Sequence, residues 1–192
     1  MVDPLHAIYW LWIVWYASWL ATLVWTKRPS ARPNPGMHVL YQVPTMLGLG
    51  LLFGPPITGV RPPVLWTLDP NALWVLFGIL VCTFAFCWWA RIVMGRLWSG
   101  FISRTADHRV IDSGPFALVR HPIYSAIIFA AWVTSIAQGT AYALAGAAMF
   151  LLAFWMKARI EEKFLCKELG AEAYNAYRRR VPMLVPFLTA RR

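Results

Sequence analysis

Five long apolar runs constrain the fold of this chain more than any other feature of its sequence. They cover roughly Leu5 to Trp25, Met37 to Ile57, Ala72 to Met94, Ile123 to Gln138 and Thr140 to Met156. Each is near the length of about 17–25 residues that a helix needs to cross a bilayer. Only 14% of the residues are charged, whereas about a quarter are charged in soluble proteins. We therefore predict an all-α, polytopic membrane protein with five transmembrane helices, of which the last two form a tight helical hairpin around Gly139.

The basic residues are distributed unevenly among the segments that connect these runs. Of the 18 Lys and Arg residues, Arg61 alone lies in the second loop and none lies in the fourth, so that seventeen fall on the other side. Positive charge marks the cytoplasmic side of a span. We therefore expect an amino terminus outside and a carboxyl terminus inside. The first run is expected to be retained as a span, because no Lys or Arg precedes it as in a signal peptide.

The formal net charge of +10 is explained by this topology. The basic residues flank the spans and are not interleaved with a platform on which bases could stack, so nucleic acid is not expected as a partner. Contact with anionic membrane lipids is expected instead. The first run also contains several Trp residues, which we interpret as lipid-facing or interfacial anchors.

Polar side chains are concentrated in the second half of the chain. The loop from Arg96 to Phe116 is long and polar, which in a compact domain is typical of a functional loop. Lys157 to Arg180 is too polar to span and has apolar residues at helical spacing, so it predicts cytoplasmic carboxyl-terminal helices. The apolar segment from Val181 to Phe187 is broken twice by Pro and is expected to be extended and packed against the membrane end.

Two groups of residues could carry chemistry. Arg120, His121 and Tyr124 follow a Gly-Pro turn and begin a helix at Pro122. They offer a cation, a hydrogen-bonding ring and a phenol, but Arg120 could equally meet lipid headgroups while His121 and Tyr124 cap and anchor the helix.

The second group comprises Arg159, Glu161 and Glu162, just past the last span. Two adjacent carboxylates cannot both face lipid, so at least one should meet solvent, a cation or a pocket. A solvated face with Glu161 paired to a basic neighbour is the simpler interpretation of this group.

Several other kinds of site lack their sequence motifs. The chain contains no GxGxxG, GxxxxGK[ST], HExxH or GxSxG motif, which argues against a Rossmann nucleotide site, a P-loop, a zincin and a nucleophile-elbow hydrolase. The three cysteines form no CxxC pair, so we expect no bound metal and no disulfide framework.

Four blocks of residues from Arg91 to Phe187 resemble the isoprenylcysteine carboxyl methyltransferase family in order and spacing. They comprise Arg91, Met94-Gly95 and Trp98-Ser99; Asp112-Ser113-Gly114-Pro115-Phe116 leading into Arg120-His121-Pro122-Ile123-Tyr124; Glu161-Glu162, Leu165, Gly170, Tyr174 and Tyr177; and Arg180-Val181-Pro182 with Pro186. The blocks cover about half of the chain, and as an ordered set they are specific.

The resemblance implies an integral-membrane methyltransferase, a single domain over residues 1–192 with its catalytic half at about 91–187. Such an enzyme transfers a methyl group from S-adenosylmethionine to a lipophilic acceptor, in that family the carboxylate of a prenylated cysteine, at a site on the cytoplasmic side. Arg159 and Glu162 are then the implied catalytic residues, although Lys157 could take the place of Arg159. The implied cofactor-binding residues are Gly114, Arg120, His121, Tyr124, Glu162 and Tyr174.

Three other functions are compatible with parts of this sequence. A phospholipid N-methyltransferase would act on an amine, for which Glu162 could serve as the base. Sterol reductases share the general plan and use NADPH, but they resemble RHxNY more than the RHPxY motif found here. A non-enzymatic membrane subunit would leave the order of the motifs unexplained.

Overall fold

The computed structural model describes residues 3–22, 36–95 and 111–188, and in these ranges the protein is all-α, as predicted. Residues 64 and 140 form an isolated bridge, and no strand occurs within the three ranges. The described helices are α1 (Pro4–Ala21), α2 (Gly36–Thr58), α3 (Pro70–Met94), α4 (Pro115–Leu118), α5 (Pro122–Gln138), α6 (Ala141–Leu169) and α7 (Ala171–Arg180). Trp25, Trp98-Ser99, the first loop and most of the long loop after Arg96 lie outside these residues.

Three of the described helices, α2, α3 and α6, are long and apolar enough to cross a membrane. Helix α5 is apolar but shorter, with 17 residues, and α1 has 18. The count of five spans and their orientation therefore stay predictions. The hairpin of α5 and α6 is confirmed, because the two helices are joined only by Gly139 and Thr140.

Side-chain caps explain where two of the long helices begin. Asp69 accepts hydrogen bonds from the amides of Asn71 and Ala72 at 2.9 and 3.1 Å, and Pro70 follows it with a ring that suits the first helical turn. Thr140 accepts from the amide of Ala143 at 3.2 Å. Short polar residues thus mark the starts of α3 and α6 within otherwise apolar sequence.

Helices α2 and α6 approach each other closely through glycines. A Cβ atom added to Gly146 would lie 2.9 Å from the Leu52 amide nitrogen and 3.0 Å from the Gly48 carbonyl oxygen. Small residues allow such backbone contact, which drives helix association in membranes. This contact fixes the polar end of α6 relative to the start of α2.

The prolines of α2 do not end the helix. Pro56 has no amide hydrogen to donate to the Leu52 carbonyl four residues earlier, but the Gln138 side-chain amide donates to that carbonyl at 2.8 Å. A neighbouring helix therefore satisfies the acceptor that the proline leaves, as backbone groups in lipid require.

Helix α1 contributes buried tryptophans to the core. Trp12, Trp15 and Trp19 are at most 9% exposed, and the Trp12 indole donates to the Thr134 hydroxyl of α5 at 2.9 Å. Trp15 stacks on Phe84 of α3 at 4.8 Å between ring centroids. Their interpretation as lipid-facing anchors is wrong, because these rings fill the space between α1, α3 and α5.

The loop between α2 and α3 closes over the turn of the hairpin. Gly139 has a φ of 63°, and its carbonyl accepts from the Leu65 amide at 2.7 Å. A Cβ atom at Gly139 would lie 2.1 Å from the Trp66 carbonyl oxygen. Only glycine fits this turn. The turn stabilises one end of the helix bundle, and the polar cluster described next lies at the other end.

Candidate active site

A tight turn leads into the polar cluster. Gly114 has a φ of 57°, in the left-handed region that favours glycine, and Pro115 follows it to start α4. The Tyr177 hydroxyl of α7 donates to the Phe116 carbonyl at 2.7 Å. Gly114 therefore shapes the turn that delivers the next residues to the site, and its predicted contact with a cofactor stays a prediction.

A carboxyl-terminal strap, residues 181–184, fixes the backbone of the Arg-His pair. The Arg120 amide donates to the Pro182 carbonyl at 2.8 Å, and the His121 amide donates to the Met183 carbonyl at 3.1 Å. The Ser125 hydroxyl donates to the Leu184 carbonyl at 2.6 Å. The strap belongs to the segment from Val181 to Phe187 that was predicted to be extended; Val181 is extended, but a turn follows in which the Leu188 amide donates to the Val185 carbonyl at 3.3 Å. The hydrogen bonds of the strap explain how two residues just before a helix hold one orientation.

Glu162 is the centre of the cluster. Its Oε1 accepts from Arg120 Nε at 2.6 Å and lies 3.3 Å from His121 Nε2, while its Oε2 lies 3.4 Å from Arg178 Nε. The side chains of Glu162 and Arg120 are only 4% and 9% exposed. Because several cationic or ring nitrogens surround it, the buried carboxylate is compensated.

The Arg120 guanidinium also ties the cluster to the strap. Its Nη1 donates to the Arg178 carbonyl at 3.2 Å and to the Val181 carbonyl. Arg120, His121 and Glu162, predicted as site residues from positions some forty apart in sequence, therefore lie in direct contact.

Glu161 forms the second half of the cluster. Its Oε2 accepts from the Tyr124 hydroxyl at 2.6 Å and lies 3.8 Å from His121 Nδ1. The rings of His121 and Tyr124 are parallel, at 5.2 Å between centroids and an interplanar angle of 4°. Two carboxylates and a pair of stacked rings thus share one wall of the site.

The cation beside this wall is Lys157. Its Nζ lies 5.0 Å from the centroid of the Tyr124 ring and 5.4 Å from that of Tyr41. Arg159, by contrast, is exposed and its guanidinium lies 6.0 Å from the Trp155 ring. The structure does not bring Arg159 to the cluster, so its catalytic role stays a prediction.

Tyr174 and Tyr177 of α7 close the cluster from the side of the strap. They are 3% and 4% exposed and pack with Leu165 and Val181. Burial, followed by the negative charge of Glu162, raises the pKa of Tyr174 well above its ordinary value, and burial likewise raises the pKa of Tyr177. Both phenols are therefore neutral hydrogen-bonding groups at physiological pH, and the cofactor-binding role predicted for Tyr174 stays a prediction.

Sequence reasoning missed two contributors to this site. Arg178 was assigned to lipid headgroups with the other basic residues of its helix, but it pairs with Glu162. Tyr41 stands in an apolar run of α2 with no local signal of function, yet it reaches Lys157.

An apolar cavity of about 800 Å³ lies between α3 and α5 and reaches the strap. Ser125, which binds the Leu184 carbonyl, lies in its wall and connects it to the polar cluster. Other lining residues are Cys82, Phe86, Phe129, Trp132 and Val185. In the ranges that the structure describes, no three His, Cys, Asp or Glu side chains are grouped to hold a metal ion.

Comparison with known proteins confirms the resemblance seen in the sequence. Residues 74–167 match the model of the isoprenylcysteine carboxyl methyltransferase family. Methanethiol S-methyltransferase 2 of Bradyrhizobium diazoefficiens is 44% identical over 155 residues, which cover 66% of this chain and 54% of that protein. The chain thus spans about half the length of the curated relative it matches.

Proposed function

We propose that this chain, which belongs through residues 74–167 to the isoprenylcysteine carboxyl methyltransferase family, transfers a methyl group from S-adenosylmethionine to the sulfur of a small thiol. The observation that carries the choice of acceptor is the 44% identity to a methanethiol S-methyltransferase. The prenylated cysteine expected from the family name is therefore the second candidate acceptor.

The side chains of the cluster fit the proposed methyl donor. S-adenosylmethionine carries an ammonium, a carboxylate, a positive sulfur and a purine. Glu161 and Glu162 suit its positive groups, Arg120 suits its carboxylate, and the ring pair of His121 and Tyr124 offers a surface for stacking. When bound, the donor supplies a methyl group on a positive sulfur, a carbon already activated for in-line displacement.

The position of Lys157 supports a small anionic sulfur as the acceptor. A carboxylate is bound best by the planar fork of an Arg, but Arg120 is assigned to the carboxylate of the donor, Arg178 contacts Glu162, and Arg159 is exposed. Lys157 is a point charge beside two aromatic rings. Such a charge stabilises a thiolate without requiring a bidentate partner.

The apolar cavity supports the second candidate. Its volume of about 800 Å³ between α3 and α5 is in the range of ligand pockets and could receive a lipid chain, with the polar end of the acceptor near Ser125. A prenylcysteine analogue would then present its carboxylate to the cluster from within the membrane.

Two measurements on detergent-solubilised protein test the proposal. Calorimetric titration with S-adenosylhomocysteine and with NADPH distinguishes a methyltransferase from a reductase, and we expect binding of the first alone. Methyl transfer is then followed with isotopically labelled S-adenosylmethionine and either methanethiol or N-acetyl-farnesylcysteine. We expect labelled dimethyl sulfide as the main product.

Glu162→Gln removes the charge at the centre of the cluster, and both measurements on it are made at a temperature at which it is folded, because the substitution also lowers stability. We expect this variant to lose binding of S-adenosylhomocysteine and methyl transfer together. Faster methylation of the farnesylated acid than of the thiol would favour the second candidate acceptor. Binding of NADPH without S-adenosylhomocysteine would overturn the proposal.

A further inference from the structure

Tyr41 and His38 form a hydrogen-bonded pair at the start of α2, outside the region that matches the family. The Tyr41 hydroxyl lies 2.6 Å from His38 Nδ1. Tyr41 is 5% exposed, whereas His38 is only half-buried. In the tautomer protonated at Nε2, Nδ1 accepts the hydrogen bond of the phenol. The pair therefore leads from the protein interior towards solvent.

The buried end of this pair belongs to the wall of the proposed active site. Lys157 Nζ lies 5.4 Å from the Tyr41 ring and 5.0 Å from the Tyr124 ring. Tyr124 donates in turn to Glu161. Helix α2 is held against α6 by the close approach of Gly48 and Gly146, so Tyr41 is kept in place beside Lys157.

A thiol acceptor must lose its proton before it can react, because the thiolate is the nucleophile. An alkyl thiol is mostly protonated at neutral pH, since the reference pKa of a Cys thiol is about 8.5. The two nearby carboxylates are engaged: Glu162 contacts Arg120, His121 and Arg178, and Glu161 accepts from Tyr124. The Nδ1 atom of His38 lies 2.6 Å from the Tyr41 hydroxyl and can accept its proton.

We propose that Tyr41 and His38 relay the proton of the acceptor thiol away from the site, an inference that rests on the proposed thiol methylation. The thiol S–H bond breaks and its proton goes to the Tyr41 oxygen, while the Tyr41 hydroxyl proton goes to His38 Nδ1. The sulfur keeps the electron pair and uses it to form the new bond to the methyl carbon. The proton then leaves from the partly exposed imidazolium.

Lys157 completes the relay by stabilising the negative charge. Its Nζ lies 5.4 Å from the Tyr41 ring, and its positive charge favours the acceptor thiolate. Among the described residues, Glu161, one helical turn further along α6, and Tyr124 of α5 are titratable groups that lie near this position. Lys157 thus stabilises the negative charge of the thiolate on the side from which the proton departs.

The test compares acceptors that differ only in whether they need deprotonation. Methanethiol is protonated at neutral pH, and para-nitrothiophenol is already ionised. We expect Tyr41→Phe and His38→Gln to lower kcat/KM for methanethiol on the order of 100-fold, the range of general base catalysis, and to leave the aryl thiol unaffected. The matched controls are Tyr142→Phe and His6→Gln, both at exposed positions outside the cluster.

A second readout does not depend on turnover. After rapid mixing of methanethiol with the protein and S-adenosylhomocysteine, the ultraviolet absorption of alkyl thiolate should rise in the unaltered protein and should rise far more slowly in Tyr41→Phe. Equal decreases in kcat/KM for both thiols in Tyr41→Phe and His38→Gln, or no decrease for either thiol, would overturn the relay but not the proposed thiol methylation. If the unaltered protein methylates neither thiol, the proposed function fails and the relay with it.

Discussion

The hydrogen bond from Gln138 to the Leu52 carbonyl allows a quantitative test of how helix α2 tolerates Pro56. The Leu52 carbonyl is buried and accepts from the Gln138 amide at 2.8 Å. Replacing Gln138 by Leu removes that donor, and Pro56 cannot supply another. A buried acceptor left without a donor costs about 1–3 kcal/mol. We therefore expect Gln138→Leu to lower the free energy of unfolding by about 1–2 kcal/mol, since values in membranes fall at the low end.

A double-mutant cycle isolates this contact from general effects of the substitution. In a Pro56→Ala background the residue at 56 regains an amide hydrogen, which can donate to the Leu52 carbonyl within α2. Gln138→Leu should then cost less than about 0.5 kcal/mol. Gln42→Leu, at an exposed position of α2, controls for the gain of apolar surface and should leave stability unchanged.

Thermal unfolding in detergent, followed by tryptophan fluorescence, measures the cycle. For a chain of this size 1 kcal/mol corresponds to about 2–4 °C in Tm, so a loss of about 1–2 kcal/mol on Gln138→Leu should lower Tm by about 2–8 °C in the Pro56 background alone. Equal decreases in both backgrounds would refute the reasoning, because they would show that the donor to Leu52 is not what Gln138 contributes.

Four further substitutions test the fold and the candidate site. Gly139→Ala should lower the free energy of unfolding by more than about 2 kcal/mol, because the turn needs a φ of 63° and the new Cβ would lie 2.1 Å from a loop carbonyl; thermal unfolding measures the loss. Glu162→Gln should cost about 3–5 kcal/mol by leaving a buried guanidinium uncompensated, a loss that chemical denaturation reports. Lys157→Met should abolish methyl transfer, whereas Arg159→Met should retain it. Steady-state assays with equal amounts of each folded variant measure this difference.

The sequence predicted those features that depend on composition along the chain. Apolar runs of spanning length located α2, α3 and the hairpin of α5 and α6 because helices in lipid must satisfy their own backbone. The family blocks implied that Arg120, His121 and Glu162 belong to one site, but not which of their atoms are in contact. These predictions needed no knowledge of how the helices are rotated.

Features that depend on helix rotation could not be predicted in the same way. In a membrane protein both the lipid-facing and the core-facing sides are apolar, so periodicity did not reveal that Trp12 and Trp15 pack inward. Lys157 and Arg159 are two positions apart and therefore point about 200° apart around α6. Which of them faces the cluster is decided by the packing of α6, and Tyr41 joins it from a helix more than a hundred residues earlier.

The strap of residues 181–184 has a consequence for the biogenesis of the protein. The backbone of Arg120 and His121 is held by the Pro182 and Met183 carbonyls, which are synthesised after every residue of α1 to α7. The charged cluster therefore stays unassembled until the strap has emerged from the ribosome. The pocket forms after translation of the spans is complete, when α7 folds back and the strap docks.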